Sequence, residues 1–161
     1  MVFILLFTCG CKENELISVP MFIARFNRIS DSRIDRKNIC AVENGDTLVY
    51  SFLPDGVFLL TLRAQKGSGR IMQCSVTSEK TKELRESDFF QKCAEVIASY
   101  EKCDFSHAED ILASFSFKKG DSSARDGFFR IYFSVNEVAV HFSIESSRLN
   151  EERTTDKKLY E

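Results

Sequence analysis

The sequence is poor in the residues that usually announce a function. It contains no tryptophan, two prolines, seven glycines and two histidines among 161 residues. No HExxH helix, EF-hand loop, P-loop, dinucleotide fingerprint or Gly-x-Ser-x-Gly elbow occurs. The chain therefore carries no positive sign of catalysis, and no cofactor or metal is expected. A Ser/His/Asp set can be assembled only arbitrarily from its many serines and acids. No internal run approaches the ~18 apolar residues of a membrane-spanning helix. Neither sign of charge dominates: 22 Lys and Arg stand against 24 Asp and Glu, a net charge of -2. A general attraction to nucleic acid or anionic lipid is thereby excluded, and no nucleic-acid partner is expected.

What is present suits one globular domain. The chain is 43% hydrophobic and 29% charged, and 15 Phe against four Tyr predict a phenylalanine-rich core. Residues 21–146 read as a single α+β domain, preceded by a tether over 12–20 and followed by a charged tail over 147–161.

The first residues stand apart. Val2 to Phe7 is apolar and uncharged, and Phe7-Thr8-Cys9-Gly10-Cys11 then gives way to the polar Lys12-Glu13-Asn14-Glu15. A short apolar run, a small residue and a cysteine followed by polar chain resembles the lipobox of bacterial lipoproteins. The resemblance covers only this segment and implies Cys11 as the acylated residue, because Gly10 is small whereas Thr8 before Cys9 is not. The run is short, and no Lys or Arg precedes it, both departures from the pattern. The competing reading is a buried strand over Val2–Thr8, which leaves the Gly-Cys-Lys-Glu-Asn junction without a reason. The resemblance further implies membrane attachment through lipid. With Lys12 rather than Asp after the cysteine, it implies an outer membrane, facing the periplasm or cell surface.

Four cysteines remain in the body: Cys40, Cys74, Cys93 and Cys103. In an oxidising envelope they are candidates for two disulfides with three connectivities. In cytoplasm they serve as small buried apolar groups. Cys74 falls on the apolar face of an expected strand and Cys93 on that of a helix. No CxxC pair exists, and the spacings fit no zinc site.

In chain order, Met21–Phe26 fits a strand or a short helix equally. Five basic residues between Arg25 and Lys37 suit either a solvated segment or a contact for an acidic partner. A meander is expected next, with strands over Thr47–Phe52, Val57–Arg63 and Arg70–Thr77. Its turns are Leu53-Pro54-Asp55-Gly56 and Lys66-Gly67-Ser68-Gly69. Met72, Cys74 and Val76 should share the buried face. Phe89, Cys93, Val96, Ile97 and Tyr100 recur at helical spacing and predict a helix over Ser87–Tyr100. Ser106-His107-Ala108-Glu109 matches a capping box and predicts a second helix starting there. Ala113–Phe117 alternates and does not decide its state. Lys118–Gly127 reads as a polar, mobile loop.

A hairpin follows, Gly127–Val135 and Val138–Glu145, around Asn136-Glu137. A two-residue turn pairs Val135 with Val138, Phe133 with Val140, Ile131 with Phe142 and Phe129 with Ile144. The opposite face carries Arg130, Tyr132 and His141, the best candidate binding cluster. His107 reads as an exposed residue in a helix's first turn.

The expected fold is an antiparallel sheet, built from a meander and a C-terminal hairpin, covered by one or two helices. The expected role is that of a lipid-anchored, non-enzymatic envelope protein that binds another protein, as an inhibitor, immunity factor or accessory. The element order is also similar to that of small cytoplasmic chaperones of type III secretion, although no clear amphipathic helix is read before Cys40. A small envelope hydrolase is a third class, for which the sequence displays no site.

Overall fold

The computed structural model describes residues 16–147 except 36 and 38. The lipobox-like segment with Cys11, and the tail from 148, lie outside the described residues. Seven antiparallel strands form one sheet in the order β1-β2-β3-β4-β7-β6-β5. In sequence these are β1 (Cys40–Asn44), β2 (Thr47–Phe52), β3 (Leu59–Gln65), β4 (Ile71–Glu79), β5 (Gly120–Asp126), β6 (Phe129–Val135) and β7 (Ala139–Ser146). Helix α1 (Val19–Ile29) precedes them, and α2 (Glu86–Glu101) and α3 (Phe105–Leu112) join β4 to β5. The protein is an α+β domain with helices on one face of an open antiparallel sheet.

The body begins inside the stretch read as a tether. Ile17 is 1% exposed. Its carbonyl accepts from Ile71 N at 2.9 Å, and Ser18 bridges Arg70. Pro20, with its fixed φ, occupies the first turn of α1. Val19, Phe22, Ile23 and Phe26 form the buried stripe of that helix. Met21, outside the stripe, faces water.

The meander lies where the sequence places it, with one addition and one irregularity. The addition is β1, every residue of which is exposed, so it carries no burial pattern. The irregularity is a bulge: Arg63 pairs with Gln73 but Ala64 with Ile71, so Met72 is skipped. One extra residue inverts the alternation beyond it. Ile71 is consequently buried and Met72 is not, whereas Cys74 and Val76 point inward as expected. Asp55 builds the β2–β3 turn, its Oδ1 accepting from Val57 N and Phe58 N at 3.1 Å each, with Gly56 at φ +78°.

Helix α2 lays Phe89, Cys93, Val96, Ile97 and Tyr100 on the sheet. Phe89 meets Phe58, Phe117 and Phe133 edge-on, and Phe90 stacks on Phe133 at 5.4 Å. Such ring pairs add about 0.5–1.5 kcal/mol each beyond area burial. The expected capping box does not form. Asp104 is the N-cap of α3, and Ser106 already lies within its first turn. With the start displaced N-terminally, Glu109 no longer sits where it can reach a cap.

Two further expectations are corrected. The polar loop over Lys118–Gly127 is largely strand β5, paired with β6 along its whole length. Its backbone is held by ladder bonds, and its side chains are mostly exposed. In the β6–β7 hairpin Val135 pairs with Val140, Phe133 with Phe142, Ile131 with Ile144 and Phe129 with Ser146. The turn is two residues wider than expected, a shift that leaves the paired strand residues on their predicted faces but puts Val138 in the turn, 73% exposed. A two-residue type I′ turn demands positive φ at both positions. Among the described non-glycine residues only Lys102 has positive φ. Asn136 instead closes the wider turn, its Oδ1 accepting from Val138 N and Ala139 N at 2.8 Å each.

Candidate functional site

The three residues predicted as a polar cluster share the open face of the sheet but divide into two groups. His141 is opposite Ser134, not Tyr132, and its Nδ1 hydrogen-bonds Thr77 Oγ1 at 2.8 Å. Partial burial between β4 and β6 holds its pKa below the ordinary imidazole value. Tyr132 is opposite Ser143, and its hydroxyl donates to Glu145 Oε1 at 3.3 Å; Arg130 is opposite Glu145. The wider turn moves His141 one pair along from Tyr132.

None of the four body cysteines is in a disulfide. Cys74 and Cys93 are fully buried, as the core reading expects, and burial pushes both thiols up. Cys40 is exposed on the edge strand. Cys103 is half-buried with its pKa raised to about 11, chiefly by desolvation and then by Glu101.

A concave region lies at the end of the sheet where the β2–β3 turn, the end of β4 and the approach to α2 meet. Its cavity measures about 670 Å³. Leu53, Val57 and Leu59 edge it at 62%, 57% and 39% exposure, and Thr77, Glu79 and Glu83 supply polar groups. Val138, 73% exposed, lies on the adjacent β6–β7 turn, its carbonyl accepting from Lys80 N. A second groove, between α2 and α3, is lined by Phe90, Ala94, Phe105, Leu112 and Phe115.

Next in the chain to the Gly56 and Val57 rim, Asp55 joins a largely buried ionic clasp. Lys92 Nζ reaches Glu95 Oε2 at 2.8 Å, Ser32 Oγ at 3.0 Å, Ser30 Oγ at 3.2 Å and Asp55 Oδ2 at 3.4 Å. The ammonium also lies 5.5 Å from the Phe26 ring centroid and 6.0 Å from that of Phe58. Ser30 Oγ donates to Glu95 Oε2 at 2.6 Å, and Ser32 Oγ to Asp55 Oδ2 at 3.0 Å. Hydrogen bonds to its carboxylate hold Asp55 below its usual pKa against desolvation, the largest single influence. The clasp ties the end of α1 to α2 and to the turn whose Gly56 and Val57 rim the cavity. A serine beside a lysine invites a nucleophile-and-base reading. An ammonium engaged by two carboxylates has no free lone pair for that work, so the arrangement is a tether.

A second ionic cluster lies at the C-terminal end of α2. His107 Nε2 is 2.8 Å from Asp126 Oδ2, and Glu101 joins them, with one donor atom from each residue within 4.8 Å of the others. Desolvation, aided by Asp126 and opposed by His107, raises the Glu101 pKa to about 7. Glu101 Oε1 is buried and has no hydrogen-bond partner among the described residues.

Sequence reasoning missed both clusters. Lys92 carried a faint signal, standing one turn from Phe89 at the margin of an apolar stripe. Glu101, His107 and Asp126 carried none, because only the packing of α3 and the β5–β6 corner brings them together. Comparison with known proteins matches this chain to no family model, no curated protein and no solved structure.

Proposed function

We propose that this is a protein-binding domain, held at a cell envelope by a lipid on Cys11 and acting as an inhibitor, immunity factor or accessory of an envelope complex. The observation that carries the binding reading is the cavity edged by Leu53, Val57 and Leu59. Exposed large apolar residues gathered around a concavity with a polar rim are the usual mark of a surface that another molecule covers. The Lys92 clasp fixes the Asp55 turn and so keeps the rim in place without its partner. The anchor rests on the residues Phe7 to Cys11 alone.

A second reading has an observation of its own. The element order resembles that of small secretion chaperones, and the amphipathic helix that the sequence did not clearly show before Cys40 is α1. On this reading the same surface receives an unfolded segment of a secreted partner in cytoplasm.

Metabolic labelling with a radioactive fatty acid tests the anchor. Native protein should take label and Cys11→Ser should not, and an unlabelled native protein removes the envelope reading. A photo-crosslinker placed at Leu53 or Val57 tests the surface against one at Ser122 on the far edge strand. Adducts with an envelope protein or a toxin, formed only from the cavity positions, support the first reading. Adducts with secretion effectors support the second, and equal adducts from all three positions overturn both.

A further inference from the structure

We propose that Glu101, His107 and Asp126 form a binding site for a divalent transition-metal ion of the zinc type. The three side chains come from separate elements: the last residue of α2, the first turn of α3 and the end of β5. Each offers one donor atom, all within 4.8 Å of one another. Zinc bonds of about 2.1 Å in a tetrahedron place donors ~3.4 Å apart, so the set is completed when the 2.8 Å His107–Asp126 pair opens slightly and the wider separations close in.

The donors select the class of ion. One imidazole with two carboxylates suits zinc and its first-row neighbours, whereas calcium takes six to eight oxygens. Three protein ligands leave a coordination position for water or for a partner's side chain, as in open zinc sites. His107, half exposed, leaves a path from solvent.

An ordinary surface ion pair accounts for His107 and Asp126 but leaves Glu101 unexplained. Its Oε1 has been withdrawn from water without gaining a hydrogen bond among the described residues, an arrangement that is costly for a carboxylate. It also ends α2, where the helix dipole is negative, and a second carboxylate lies beside it. A dication turns all three liabilities into attractions. The inference does not rest on the protein-binding reading, and either can fail alone.

Metal-stripped full-length protein titrated with Co²⁺ and Zn²⁺ tests the proposal. One equivalent of Co²⁺ should develop d–d absorption without a thiolate charge-transfer band, and Zn²⁺ should raise the Tm. His107→Ala and Glu101→Gln should each weaken binding by at least about tenfold. Glu101→Gln should nevertheless unfold, without metal, at or above the native Tm, which separates lost binding from lost folding. Three results overturn the site: no saturable single equivalent, unchanged affinity in His107→Ala, or a charge-transfer band that disappears in Cys103→Ser.

Discussion

Helix α2 carries one ionic cluster at its middle and another at its C-terminal end, and the two are built to opposite specifications. Lys92 is nearly buried, yet its ammonium meets two carboxylates, two hydroxyls and two ring faces. Glu101 is less buried, yet one oxygen has no partner among the described residues, and its charged neighbours include another carboxylate. Burial depth does not decide whether a charge is tolerated. The supply of groups that replace its water does. The first cluster therefore serves the fold, and the second costs the fold something that a bound cation would relieve.

The largest expected effect comes from breaking the satisfied cluster. Lys92→Met strands Glu95, whose side chain is 3% exposed, and should cost ~3–5 kcal/mol in urea unfolding. Lys92→Met combined with Glu95→Leu should recover most of that loss. A single variant within ~1 kcal/mol of native would show that the clasp holds nothing.

The next effect runs the other way. Glu101 titrates near 7 in the fold against an ordinary value of 4.5, so folding favours its protonated form. That contribution is complete below about pH 4.5 and is lost as pH rises through about 7. Glu101→Gln should therefore be ~1–2 kcal/mol more stable than native above neutrality, allowing for partial exposure, with no gain in mild acid. A gain that does not change with pH would mean that the fold imposes no penalty on the charged Glu101 carboxylate, by desolvation or by repulsion.

His141 gives the smallest effect, with the opposite pH dependence. Its pKa lies below the ordinary 6.5, so the neutral ring is the form the fold favours. Its contribution is complete above that value and is lost as pH falls through the folded pKa. His141→Gln should flatten the acid side of the stability profile by a fraction of a kcal/mol. Steeper acid unfolding in the variant would contradict the assignment.

The legible parts of this fold are those where burial leaves a period in the sequence. The stripe from Phe89 to Tyr100 and the alternation from Phe129 to Ile144 each put one face in the core; the helix lies as read, and the hairpin keeps its faces in a shifted register. Helix α1 was legible too, since Val19, Phe22, Ile23 and Phe26 have helical spacing. Assigning Pro20 to a tether cut that pattern short. The edge strands β1 and β5 were not legible, because exposed strands are held by backbone bonds that any residue can make. The hairpin shows the limit within a single element. Faces were fixed by parity, but the two-residue offset turned on how Asn136 closes its turn. That offset moved His141 away from Tyr132.

By itself the sequence determined the class of fold and most of its buried faces, since hydrophobic period is written along the chain. Only the tertiary structure decided where charges meet. Lys92 reaches Asp55, and Glu101 meets His107 and Asp126, through contacts between distant segments. No one-dimensional period records such encounters, and those charges carry both the rigidity of the proposed binding surface and the proposed metal site.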